Sequence, residues 1–207
     1  MLATVLEQYA GRDDVLVLAL PRGGVPVGFE IARQLHVPLD VLIVRKLGVP
    51  GQEELAMGAL ASGGTRVLNE DVVSDARVAP EEIATVTARE DRELERREQA
   101  YRGDRPPVDV RGKTIILVDD GLATGATMRA AARALRRQGA GRIVVAVPVA
   151  PAETCEEFRT EVDDIICATT PEAFFAVGQA YEDFSETSDA EVRALLDEAA
   201  RTTNEAA

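Results

Sequence analysis

The 207-residue sequence predicts an α/β fold built on a parallel sheet with helices on both sides, and three observations carry that expectation. Short apolar runs recur along the chain, each separated from the next by a stretch of helical periodicity. The runs are apolar at successive positions, so both faces of each strand must be covered. Hydrophobic residues make up 46% of the chain but aromatics only 4%, so the core must be mainly Val, Ile, Leu and Ala. The length fits a single domain, residues 1–207, with room for an insertion.

The elements follow in order. "VLVLAL" (15–20) reads as the first strand. "VPVGFEIARQL" (25–35) sets Val27, Ile31 and Leu35 at helical spacing, and "LDVLIV" (39–44) reads as the second strand. "TIILVDD" (114–120) is a third strand ending in two acids, followed by a helix, "ATMRAAARALRRQGA", that stops at Gly139. "RIVVAVPV" (142–149), a helix near 152–160 and "DIICAT" (164–169) continue the alternation. One more helix is expected after Asp189, fraying at "TTNEAA". Open parallel sheets bind ligands outside the carboxyl ends of their strands.

The middle of the chain breaks this rhythm. Residues 79–103 are rich in helix formers, with Ile83, Val86, Leu94 and Tyr101 as the few apolar anchors, and "DRPPVD" ends them. We read residues 70–107 as a helical insertion. Its long helix is either a solvated rod laced with i,i+4 ion pairs or an arm over the site or a partner subunit, which would make the chain a homodimer.

Charge and cysteine usage narrow the function. A net charge of −13 argues against nucleic-acid partners, which need a basic surface. Two cysteines without a CxxC and a single histidine, His36, leave no zinc ligand set. Cys155 and Cys167 are expected as buried, reduced thiols in a reducing compartment. With no basic, apolar leader and no run of 18 apolar residues, the chain is expected to be soluble and cytoplasmic, with no membrane partner.

The stretch "LVDDGLATGAT" (117–127) carries the chemistry. The strand delivers Asp119 and Asp120 to its carboxyl end, Gly121 permits the turn, and Ala123, Thr124, Gly125, Ala126 and Thr127 open a helix. The first N–H groups of a helix lack intrahelical partners, so an anion fits there. The adjacent carboxylates would repel a phosphate but can accept hydrogen bonds from hydroxyls. A ligand with a phosphate beside a vicinal diol, a ribose 5-phosphate, satisfies both. The competing readings are a helix capped by Thr124 and an acid pair for a metal, as in phosphotransfer receivers. Receivers carry their acids after the first strand and a Lys at a later one, and neither holds here. Walker and GxGxxG patterns are absent.

"IILVDDGLATGAT" (115–127) resembles the thirteen-residue signature of type I phosphoribosyltransferases, and the likeness extends over about residues 15–185. "ALPRGGVPVGFEIA" and "VRKLGVPGQEELAMGALA" are similar to an uncharacterised bacterial branch of that family with a core insertion. The resemblance implies the type I fold with a small C-terminal hood at 169–186. It implies transfer of a phosphoribosyl group from phosphoribosyl pyrophosphate to a small nitrogen acceptor, with Mg²⁺ as cofactor. A non-catalytic sensor of phosphoribosyl pyrophosphate or nucleotides is the alternative.

The resemblance also distributes roles. Pro21, Arg22, Gly23 and Gly24 would form the pyrophosphate loop, with a cis Pro21–Arg22 bond. From the residues alone, such a turn forms an anion nest and Arg22 adds a permanent fork of donors. Arg45 and Lys46, with Gly48, Pro50 and Gly51 behind them, would form a flexible catalytic loop meeting the departing pyrophosphate. Asp119 and Asp120 would grip the ribose diol and take part in metal binding with Glu182. Phe175 would stack on the acceptor, with Phe174 and Asp183 as near alternatives to Phe175 and Glu182; Phe174, Phe175 and Tyr181 are the clustered aromatics available for stacking. Ala123 stands where hypoxanthine/guanine enzymes often carry an Asp, so the pattern is closer to adenine-type members.

Overall fold

The computed structural model describes residues 2–103 and 105–205, with the backbone alone for 203–205. Met1, Asp104 in the Pro-rich exit, and the last two residues of the tail lie outside the described residues. In chain order the strands are β1 (Val15–Ala19), β2 (Leu39–Val41), β3 (Val44–Val49), β4 (Gln52–Ala61), β5 (Thr65–Leu68), β6 (Thr114–Val118), β7 (Arg142–Val149) and β8 (Asp164–Thr169). The α-helices are α1 (Leu2–Val5), α2 (Gly24–Leu35), α3 (Glu70–Asp75), α4 (Pro80–Arg102), α5 (Ala126–Arg137), α6 (Ala152–Phe158) and α7 (Asp189–Glu205).

The main sheet has five parallel strands in the order β2-β1-β6-β7-β8. Its central strand explains the apolar runs. In β6, Ile115 and Leu117 face one core with α5 and α6, whereas Ile116 and Val118 face another with α1 and α2. A strand covered on both faces has no polar side, so periodicity two vanishes from the sequence. The strand order puts β1 and β6 side by side in the middle, so the turns that follow them emerge at one edge.

Four expectations need correction. Residues 44–59 are regular structure where a loop was expected: β3 and β4 form an antiparallel hairpin turning at Pro50–Gly51, and β5 completes a second, three-stranded sheet. The run 39–44 accordingly splits, with β2 ending at Val41 and β3 beginning at Val44. The thiols are not reduced either: Cys155 on α6 and Cys167 on β8 form a disulfide. At the C-terminus α7 continues to Glu205, so the expected fraying at 202–205 does not occur.

The long helix α4 packs on the second sheet and α7 through Ile83, Val86, Leu94 and Tyr101, the four anchors read from its sequence. Its exposed face does carry local ion pairs, with Glu93 accepting from Arg96 and Arg97. It also buries charge. Arg102, 8% exposed, donates to both carboxylate oxygens of Asp40 at 2.9 Å and to the Val41 carbonyl at 2.6 Å, clamping the helix end to β2.

Candidate functional site

The two turns that the sequence singles out meet at the carboxyl edge of the main sheet. After β1, residues 21–24 turn into α2 with a cis bond between Pro21 and Arg22. After β6, Asp119 and Asp120 stand beside that turn. The approach is close enough to demand glycine: a Cβ on Gly23 would lie 2.0 Å from Asp120 Oδ2, and one on Gly24 would lie 2.9 Å from Asp119 Cα. The "RGG" spelling is thus what lets the loop lie against the acid pair.

Packing removes the pair from water, and the two charges are adjacent. Burial first, and the Asp120 charge second, push Asp119 up to about 8. Burial also raises Asp120. Asp119 Oδ1 accepts from the Asp120 N–H at 2.9 Å, which fixes its orientation. Two acids in this state await a partner that supplies hydroxyl donors or positive charge.

The turn after the acids leads into α5, which opens at Gly125 in the left-handed conformation with no side-chain cap. Thr124 therefore does not cap the helix. The loop is held from behind by α6 and its neighbours. Arg129 donates to the Thr124 carbonyl at 2.5 Å and to Glu161 at 2.6 Å, Thr154 donates to the Ala123 carbonyl at 3.2 Å, and Phe158 packs beneath Gly125. Carbonyls held behind leave the small residues Ala123, Thr124 and Ala126 exposed, with Thr127 half-buried.

A cavity of about 590 Å³ opens beside the acids, lined among others by Arg22, Gly23, Asp120, Tyr181, Phe184 and Glu186. The segment after β8 forms its other wall. The Tyr181 hydroxyl donates to the Asp120 carbonyl at 2.6 Å, and its ring meets Phe184 with centroids 5.1 Å apart. Burial, and then the charges of Asp120 and Asp119, raise the Tyr181 phenol, so it stays a donor.

Several predicted residues fall elsewhere. Phe175 is 82% exposed and does not line the cavity; Tyr181 and Phe184 supply the aromatic wall instead. Glu182 is exposed and off the wall, whereas Asp183, the near alternative, is on it. Arg45 is engaged with α4: its Nε and Nη2 donate to Glu90 Oε2 at 2.9 and 2.7 Å, and Glu90 is buried. Lys46 is exposed on β3. The residues missed by sequence reasoning are Phe184 and Glu186 on the wall, with Asp189, 3.6 Å from Arg22, and Tyr101, whose hydroxyl donates to Asp189, behind it. For Phe184, Glu186 and Asp189 the acidic run "EDFSETSDAE" was the available signal, since it follows Tyr181 directly.

The oxygen donors of Asp119 and Asp120 suit a hard divalent cation such as Mg²⁺. Among the described residues no group of three or more His, Cys, Asp or Glu is arranged to hold a metal. The pair therefore fits an ion held largely by substrate and water oxygens, the usual manner for Mg²⁺.

Comparison with known proteins identifies the family. A family model described as "Phosphoribosyl transferase domain" matches residues 1–184. A Mycobacterium tuberculosis protein provisionally named a phosphoribosyl transferase, Rv0571c, is 48% identical over 200 residues, covering 97% of this chain and 45% of its own length. The chain thus spans about half the length of that relative. A crystal structure of TT1426 from Thermus thermophilus superposes with a TM-score of 0.81 at 40% identity, covering 95% of both chains. A Methanopyrus kandleri ribose-phosphate pyrophosphokinase is 35% identical over 144 residues, 59% of this chain and 49% of its own length. Among the described residues no helix is long and apolar enough to cross a membrane. The chain belongs to the phosphoribosyl transferase domain family, with the type I fold.

Proposed function

We propose that the protein transfers the 5-phosphoribosyl group of phosphoribosyl pyrophosphate to a ring nitrogen of a small, purine-like acceptor. The observation that carries this reading is the contact of the 21–24 turn with the acid pair, sealed by the absent side chain of Gly23. It sets an anion nest and a guanidinium on one side of two carboxylates, with the open phosphate loop following them in the chain. A phosphate, a diol and a second, larger phosphate group in that order match phosphoribosyl pyrophosphate.

Each residue has a role in this scheme. The loop 123–127 receives the 5′-phosphate through first-turn N–H groups and the Thr124 and Thr127 hydroxyls. Asp119 and Asp120 accept the ribose hydroxyls and orient the sugar. The 21–24 turn and Arg22 hold the pyrophosphate and stabilise its charge as the C1–oxygen bond breaks. Positive charge then grows on the ribose, as in glycoside cleavage, beside the two acids. Asp119 and Asp120 would hold Mg²⁺ together with substrate oxygens, and the ion would supply neutralisation of the leaving group. Tyr181 and Phe184 form the face against which an aromatic acceptor stacks. Lys46 reaches the site only if the β3–β4 hairpin moves.

The reading extends to context. Turnover would take place in the cytoplasm, where nucleotide precursors are made, although the Cys155–Cys167 bond stands against a permanently reducing setting. Pairing of two copies into a homodimer is compatible with it. A sensor without turnover is the second reading, favoured by the engagement of Arg45 with Glu90 away from substrate.

The test combines binding and turnover. Calorimetry with phosphoribosyl pyrophosphate on wild type and on the Asp119→Asn/Asp120→Asn double variant should show binding only for wild type. Pyrophosphate release across a panel of nitrogen bases then identifies the acceptor. Undiminished affinity in the double variant would reject the site, and binding without release from any base would favour the sensor.

A further inference from the structure

The acidic stretch behind the aromatic wall plays no part in the scheme above, yet it meets the pyrophosphate turn. Asp189 opens α7, where Ser188 and Glu191 form a capping box. The Ser188 N–H and hydroxyl donate to Glu191 Oε2, each at 2.7 Å, and the Glu191 N–H donates to Ser188 Oγ at 3.2 Å. Such a box fixes the first turn of a helix. Tyr101, buried near the end of α4, donates its hydroxyl to Asp189 Oδ1 at 2.8 Å. The same oxygen lies 3.6 Å from Arg22 Nη1. From the other side Glu186 contacts Arg22 Nη2.

These two acids differ in kind. Asp189 is braced by a helix cap and a buried phenol. Glu186 sits in an irregular segment with its side chain 79% exposed. A guanidinium has five donors in a fixed fork, so it can keep one partner on Nη1 and exchange another on Nη2. An exposed ion pair contributes little, whereas a phosphate oxygen pair accepts the fork with two charge-assisted bonds.

We propose that Asp189, braced by Tyr101, is the positioning residue that holds the Arg22 guanidinium at the pyrophosphate turn, and that Glu186 is an exchangeable partner which a diphosphate displaces. The inference rests on the phosphoribosyl pyrophosphate reading of the site. It also gives the last turn of α4 a task, since Tyr101 meets Asp189 from there.

Pyrophosphate and ribose 5-phosphate are titrated separately by calorimetry at low ionic strength against wild type, Tyr101→Phe, Asp189→Asn and Glu186→Gln. Asp189→Asn and Tyr101→Phe should weaken pyrophosphate about two- to fivefold, the scale of a partly exposed charge contact, and leave ribose 5-phosphate unchanged. Glu186→Gln should tighten pyrophosphate by about the same factor, an advantage that fades at high salt. A purely structural role for Asp189 would weaken both ligands equally and would overturn the proposal, as would an unchanged pyrophosphate affinity. Glu186→Gln is exposed and keeps the test decisive if Tyr101→Phe fails to fold; pyrophosphate binding equal to or weaker than wild type overturns the exchange. Wild type that binds neither ligand overturns the underlying reading as well, whereas wild type that binds both with Asp189→Asn unaffected overturns this proposal alone.

Discussion

The hydroxyl of Tyr181 donates to the backbone carbonyl of Asp120 at 2.6 Å, so the aromatic wall is tied to the acid-bearing turn by one hydrogen bond. Tyr181→Phe keeps the ring against Phe184 and removes only that bond, at a cost of about 0.5–1.5 kcal/mol. The expected result is faster amide exchange across 170–186 and weaker acceptor binding, with phosphoribosyl pyrophosphate affinity unchanged. Exchange rates matching wild type would show that the wall is held by other contacts.

Gly23→Ala tests the contact between the two turns. The new methyl would stand 2.0 Å from Asp120 Oδ2, so either the carboxylate or the loop must shift. We expect phosphoribosyl pyrophosphate affinity to fall about tenfold or more, equivalent to about 1.4 kcal/mol, with thermal stability little changed. Calorimetry beside a melting curve separates the two effects.

The acid pair makes stability depend on pH. Asp119 holds its proton more tightly folded than unfolded, because burial and Asp120 raise it from its ordinary 3.8 to about 8. Below the ordinary value both states are protonated and the site costs nothing. As pH climbs through the window from 3.8 to about 8 the unfolded chain releases the proton first, and the folded state loses stability until the folded group ionises too. Asp119→Asn should therefore melt above wild type at about pH 9 and nearly with it at about pH 4. Parallel melting curves across that window would contradict the raised affinity for the proton.

Arg102 and Asp40 offer a test of how α4 is anchored to β2. Both side chains are buried, so Arg102→Met leaves an uncompensated charge and should cost about 3–5 kcal/mol in chemical denaturation. Adding Asp40→Leu should recover much of the loss, since a packed apolar pair often matches a buried ion pair. A double variant no better than the single one would place the clamp's value elsewhere.

The parts of this molecule that could be read from sequence are those where one physical demand dominates. Strands β6 and β7 are buried on both faces, so their apolar runs end where the strands end, and β8, at the sheet edge, is half-buried yet keeps an apolar run. The four apolar residues of α4 sufficed to mark its packed side. The hairpin at 44–61 was illegible because Gly48 has two meanings. It reads as flexibility, but a Cβ there would lie 2.4 Å from the Glu53 carbonyl oxygen, at an irregular register between β3 and β4. The turns at 21–24 and 119–127 were legible because their chemistry is local. Phe184, Glu186, Asp189 and Tyr101 were not, since their meaning depends on where α7 and α4 end in space. Phe175 and Glu182 stand off the cavity wall for the same reason: the irregular chain after β8 has no period from which to infer which neighbouring side chain turns inward.

The sulfur bridge between Cys155 and Cys167 closes a covalent ring around the end of α6 and the turn into β8. A protease that cuts at Arg159 would therefore open this ring without dividing the polypeptide. The nicked molecule should migrate as one species on a non-reducing gel and as two after thiol treatment. Because α6 also supports residues 123–127 through Thr154 and Phe158, such a hidden cut would leave one covalent species with a loosened floor under that loop.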